Sequence, residues 1–226
     1  MENEKSQIKR PDAFINNRVE ILEMSRLDLR KELRQYYKAK TKPEIIDVPE
    51  GKFLAIMGRG EPGGEAYRAS LNALYTVAYT LKFRQKAEGR DFSMMTLESL
   101  WWWDSPTTTL ADAPPRSEWN WKSMIRVPDF VTEAMLEATK KEAKARKGFS
   151  EIDLINLETY HEGLSAQFMH VGPYSEEAVT VPKLHRFIED NGYSLRPYHH
   201  EIYMSDPRRV QPEKWKTIIR QPIKRD

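Results

Sequence analysis

Cysteine is absent from the chain, which excludes disulfides, thiol catalysis and thiolate-bound zinc. A surplus of one charge is missing as well: 36 Lys and Arg against 34 Asp and Glu leave a net +2 over 226 residues. Without a basic field, nucleic-acid binding lacks its electrostatic footprint; "DPRRV" at 206–210 is too short to supply one. Long apolar runs are also lacking. None approaches the roughly 18 residues of a membrane-spanning helix, and the polar start "MENEKSQIKR" has no signal-peptide core. The expectation is a soluble, cytoplasmic protein with neither nucleic acid nor membrane as partner, although a cysteine-free chain is compatible with any compartment. With 39% hydrophobic residues the chain can build a real core, as one large domain or two small ones.

What is present is written twice. "WKSMIRVP" (121–128) and "WKTIIRQP" (215–222) share five of eight residues. "EGKFLAIMGRGEP" (50–62) and "EGLSAQFMHVGPY" (162–174) both open on Glu-Gly, alternate through a short strand and close on a Gly/Pro turn. Between these anchors each half carries a helical segment, then a short strand containing a glutamate: "LESLWWWD" (97–104) and "HHEIYMSD" (199–206). Repeats at a fixed order indicate a duplicated unit. The first spans about 43–127 and the second about 154–223. Tyr67, Leu71, Leu74, Tyr75, Ala78 and Leu81 fall on one helical face, as do Val179, Leu184, Phe187 and Ile188. Pro182 either starts the second helix or kinks it. Residues 129–147 read as a connecting helix and residues 1–40 as a helical extension, with an amphipathic stretch over 15–37; no function attaches to the first 25. The Pro/Thr-rich loop 105–117 lies between two predicted strands.

The expected class is therefore α+β: duplicated strand–helix–strand–strand units about a pseudo-twofold axis, antiparallel sheets with helices on one face, and a central ligand cleft. Alternation along a strand puts Glu98, Leu100 and Trp102 on one face of the first glutamate strand. It puts His199, Glu201 and Tyr203 on one face of the second. Aligning the repeats sets Glu98 over Glu201, so the expectation is two carboxylates facing one space with Trp102, His199 and Tyr203 around them. A carboxyl in an aromatic cleft is partly desolvated, which raises its pKa and suits it to act as a base. The competing reading is two solvated strand glutamates beside core tryptophans. Trp101 and Trp103 face a helix and read as core. Tyr75 and Tyr79 are packing groups or pocket lining.

Other signals carry less. "GRGEPG" (58–63) matches G-x-G-x-x-G, but Pro62 sits inside the turn and the second repeat lacks the glycines, so a dinucleotide fingerprint is rejected. "HHE" suggests a metal, yet adjacent strand residues point to opposite faces and no H-E-x-x-H occurs, so neither metal nor cofactor is expected. No G-x-S-x-G elbow supports a serine hydrolase.

The chain resembles the GyrI-like small-molecule-binding family over about 26–223. The resemblance is carried by "KPEIIDVPEGKFLAIMGRGEP", "ALYTVAYTLKF", "LESLWWWD", "WKSMIRVPDFVT", "ETYHEGLSAQFMHVGPY", "FIEDNGY" and "HHEIYMSDPRR". It implies a GyrI-like domain over 41–226, of the stand-alone type, and a flat aromatic or amphipathic small molecule as partner. Relatives fused to DNA-binding domains sense lipophilic cationic drugs with a cleft acid, matched here by Glu201. This chain carries no helix-turn-helix segment, so the regulator role does not transfer. Some stand-alone relatives are hydrolases that open the cyclopropane of DNA-alkylating natural products as self-protection. That role implies Glu201 or Glu98 as the water-activating base, Tyr203 polarising the substrate oxygen, and Trp102, Leu100, His199, Tyr75 and Tyr79 lining the site. The alternative is binding or sequestration without turnover.

Overall fold

A computed structural model describes residues 26–104 and 113–225; most of the Pro/Thr loop and the first 25 residues lie outside them. The elements run α1 (Leu29–Glu32), β1 (Glu44–Val48), β2 (Gly51–Arg59), α2 (Glu65–Ala87), β3 (Leu97–Trp102), β4 (Asn120–Val127), α3 (Glu133–Lys147), β5 (Asn156–Tyr160), β6 (Gly163–Val171), α4 (Glu177–Asp190), β7 (Tyr193–Leu195), β8 (His199–Tyr203) and β9 (Lys216–Arg225). The architecture is α+β, as expected. Pro182 lies inside α4, five residues past its start, and the helix runs on to Asp190.

The two units do not form separate sheets. They merge into one antiparallel sheet ordered β1-β6-β9-β8-β3-β4-β2-β5, with β7 added beside β9. The order is a palindrome of repeats. Each unit lends its first strand to the other: β1 pairs with β6, and β5 pairs with β2. The glutamate strands β3 and β8 meet at the centre, where the pseudo-twofold axis passes.

Helices α2 and α4 lie on the same face of this sheet. The α2 stripe read from periodicity is the buried one: Leu74 and Leu81 are fully buried and Tyr67 nearly so, each burial stabilising by about 1.5–3 kcal/mol. Val181, Leu184 and Ile188 of α4 pack with Phe168, Ile219 and Ile223. The connecting helix α3 packs against α2. Thr132 caps its start by accepting from the Met135 amide at 3.3 Å, and Gly148 ends it at φ 68°, a left-handed conformation that favours glycine. The opposite face of the sheet is covered by the chain around Tyr36 and Tyr37, both buried. No helix among the described residues is long and apolar enough to cross a membrane.

Candidate functional site

Residues directly opposite on neighbouring strands share a face of the sheet. The register pairs Glu201 with Ser99, and Glu98 with Ile202. Glu201 and Glu98 therefore point to opposite faces. The expected shared space for two repeat-related carboxylates is not there. The sequence alignment was out of register by one residue, and a one-residue shift moves a side chain through the sheet. His200, not Glu201, accompanies Glu98.

The Glu201 face looks toward α2 and α4. Strand partners place Ser99, Trp101, Trp121, Ser123, His199, Tyr203 and Thr217 around it. Helices were expected on the side away from the cleft, whereas α2 and α4 stand on the Glu201 face. Tyr67 of α2 lies 5.4 Å from the Trp101 ring and 5.1 Å from Trp121. Its hydroxyl meets Ser99 at 3.2 Å, and Ser99 meets Ser123 at 3.1 Å. Across the cleft, Tyr174 packs edge-on against Tyr203 and lies 4.8 Å from the Trp215 ring. Tyr67, Trp101 and Trp121 are buried with Ser99 and Ser123, while Tyr174 and Trp215 keep exposed surface; aromatic rings around a few polar groups are the make-up of a small-molecule site.

Glu201 is held on both oxygens. Tyr203 donates its hydroxyl to Oε2 at 2.7 Å, and His199 Nε2 lies 3.3 Å from Oε1. The Glu201 side chain keeps 13% exposure, so solvent and ligand can reach it. The raised pKa expected for this carboxyl is not found: burial pushes it up, but the hydrogen bond and charge of His199 and the Tyr203 hydroxyl outweigh burial and hold it below the ordinary carboxylate value. Glu177, in the first turn of α4, is buried. Burial first, then the charge of Glu201, pushes the Glu177 carboxyl up to about 10. Its Oε1 is buried with no hydrogen-bond partner among the described residues, as are the Trp101 and Trp121 indole nitrogens.

The Glu98 face is a different environment. Tyr36 and Tyr37 each donate a hydroxyl to Glu98 at 2.7 Å. His200 Nε2 is 3.1 Å from Glu98, and its Nδ1 is 3.0 Å from Glu162. Arg220 contacts Glu162 at 3.2 Å, donates to Gln167 and to the Tyr36 carbonyl, and lies over the Tyr36 ring at 4.4 Å. Two acids and two bases thus neutralise each other at 0% exposure. Burial lowers the His200 pKa, but Glu162 and Glu98 overcome it and raise the pKa to about 9. The cluster fastens the 36–38 segment to the sheet: a buried charge set whose members are all paired.

The eight residues singled out from sequence are thus divided. His199, Glu201 and Tyr203 come together in the cleft. Tyr75 stands half-buried near it, its hydroxyl pushed up to about 12 by burial, then by Tyr79 and Tyr67. Tyr79 lies farther out, 45% exposed, stacked between Tyr75 and Phe83. Glu98, Leu100 and Trp102 are on the other face; Leu100 is core and Trp102 packs on Tyr198. Tyr67, Trp101, Tyr174, Glu177 and Trp215 were not picked out. Trp101 was assigned to the side facing a helix, and that side is the cleft.

A profile of the GyrI-like small molecule binding domain matches residues 41–224. The chain belongs to this family. A solved structure of an uncharacterized conserved protein from Listeria innocua is 41% identical, with a TM-score of 0.81, covering 88% of this chain and 100% of that one. A hydrolase from Listeria innocua is 40% identical at a TM-score of 0.77, with the same coverage. The EcmrR C-terminal domain is 16% identical at a TM-score of 0.53, covering 82% of this chain and 98% of that one, and shares the fold. A comparison with curated proteins finds no match. As a GyrI-like domain, the chain is a small-molecule-binding protein with hydrolases among its structural neighbours.

Proposed function

We propose that this GyrI-like protein hydrolyses the cyclopropane of flat, DNA-alkylating small molecules, with Glu201 as the base that activates water. The observation that carries this reading is the placement of Glu201: a carboxylate held by His199 and Tyr203 among aromatic rings, with 13% of its side chain exposed to meet water. Tyr174 and Trp215, which keep exposed surface, offer ring faces to a flat substrate, while Tyr67 and Trp101 are buried beside them. A carboxylate beside an oriented water supplies general-base catalysis worth about 10²–10⁴-fold. As the strained ring opens, negative charge moves to the dienone oxygen, where a cleft hydroxyl stabilises it. A hydrolase at 40% identity over 88% of the chain supports the reaction class. The role is detoxification.

The test is direct. Incubation with a spirocyclopropyl dienone should yield the water-added phenol, and Glu201→Gln should slow its formation at least ~100-fold. Tight binding with the ligand recovered unchanged would instead mark a sequestering protein.

A further inference from the structure

A groove of about 530 Å³ lies on the outer side of α2, away from Glu201. Two steps along an α-helix turn the side chain by about 200°. Thr76, Tyr79 and Phe83 therefore face away from Leu74 and Leu81, which are buried. Tyr75, Tyr79 and Phe83 recur every fourth residue and stack as a ladder, with ring centres 6.4 and 6.3 Å apart and planes 28° and 26° from parallel. Tyr79 and Phe83 are both exposed. Single exposed apolar residues are ordinary on a protein surface, but a contiguous aromatic strip along a groove marks a contact site. The facing wall comes from the end of α3: Arg146, Lys147 and, just past it, the half-buried Phe149. α3 joins the repeats and belongs to neither, so the groove is not a product of the duplication.

Charge and hydrogen bonding decide what the groove can take. Among the described residues no acid lines it. Arg146 reaches Glu142 only at 4.0 Å, and Glu142 already accepts from Arg84 at 2.9 Å. Lys147 has no salt bridge among the described residues. The carbonyl end of α3 adds a partial negative charge of roughly half an elementary charge, against two full positive ones. Thr76 and Thr80 donate their hydroxyls back to the carbonyls of Asn72 and Thr76. Donation to a ligand falls to the two cations, the Asn72 amide and the tyrosine hydroxyls. We propose that this groove is a second ligand site, separate from the Glu201 cleft, and that it takes flat aromatic carboxylates or sulfonates. The ring system lies along Tyr79 and Phe83, and the acid group meets Arg146, whose planar fork suits an oxyanion, and Lys147. The volume falls within the roughly 300–1,000 Å³ of small-molecule sites.

The test uses the full chain and 2-naphthoate, with 2-naphthylmethylammonium as the same ring carrying the opposite charge. Calorimetry should show saturable binding of the carboxylate and far weaker binding of the ammonium. Replacing both cations, Arg146→Gln with Lys147→Gln, should weaken 2-naphthoate by about 5- to 20-fold, because exposed ion pairs are individually weak. Phe83→Ala should weaken it by about 3- to 10-fold. These side chains are exposed, so both variants should melt with wild type. Glu201→Gln should leave the affinity unchanged, and backbone amide shifts in NMR should gather at 72–83 and 146–149. No saturable binding, equal binding of the ammonium, or undiminished affinity once both cations are replaced overturns the proposal. So does lost binding in Glu201→Gln with shifts at His199 and Tyr203, which puts the ligand in the cleft. A dimer in sedimentation that Phe83→Ala dissolves would assign this face to a second copy of the chain and overturn it as well.

Discussion

Glu98→Gln is predicted to damage the fold and spare the chemistry. The substitution keeps the shape of Glu98 but replaces one acceptor oxygen with a donor and removes the charge. Glu98 accepts from Tyr36 and Tyr37 at 2.7 Å each and lies 3.1 Å from His200. Glutamine can serve one tyrosine hydroxyl; the other meets an NH₂ group, and His200 keeps only Glu162. Hydrogen bonds to charged groups contribute about 1.5–3 kcal/mol each, and breaking a buried ion pair costs about 3–5 kcal/mol. The predicted loss is about 4 kcal/mol. For a chain of this size that corresponds to a fall in Tm of about 8–16 °C, and to a lower urea midpoint at unchanged slope. Glu201→Gln should cost less than half as much, because its neighbours can turn to solvent. Assayed below its melting point, Glu98→Gln should bind and turn over as wild type does. A variant with unchanged stability and lost turnover would refute the reasoning and return Glu98 to the reaction.

Further predictions address single contacts. Raising pH should weaken the protein through His200. Its folded pKa of about 9 lies above the ordinary 6.5, so the contribution is whole below about pH 6.5, fades between the two values and is gone above them. The span of about 2.5 pKa units amounts to about 3 kcal/mol, and melting curves of wild type against His200→Gln should show the slope only in wild type. Tyr203→Phe removes one of the two groups that hold Glu201 ionised; the acid limb of the pH–rate profile should move to higher pH. Gly58→Ala places a Cβ 2.3 Å from the Trp121 ring, so it should cost about 1–3 kcal/mol through overpacking and weaken ligand binding by tilting that wall, as calorimetry can measure.

The duplication was legible because its anchors, "WKSMIRVP" and "WKTIIRQP", are strands β4 and β9, whose alternation survives as sequence. The helices were legible from spacing, with the α2 stripe at Tyr67, Leu74, Ala78 and Leu81 buried as periodicity required. Strand exchange between the repeats was not legible, because pairing partners leave no mark on a local pattern. The same gap misplaced Glu98: each strand's two faces were assigned correctly, but which face of β3 meets which face of β8 depends on a register of one residue. Glu177 escaped notice for another reason. An acidic residue in the first turn of a helix reads as a favourable charge on the macrodipole, and only the packing of α4 over β6 and β9 buries it.

A crystal structure with an unreactive analogue of the alkylator tests the central claim most directly. The account predicts the flat ligand between α2 and α4, its rings against Tyr174 and Trp215 and its reacting end beside Glu201. A ligand lodged on the other face, displacing Tyr36 and Tyr37 to reach Glu98, would contradict it.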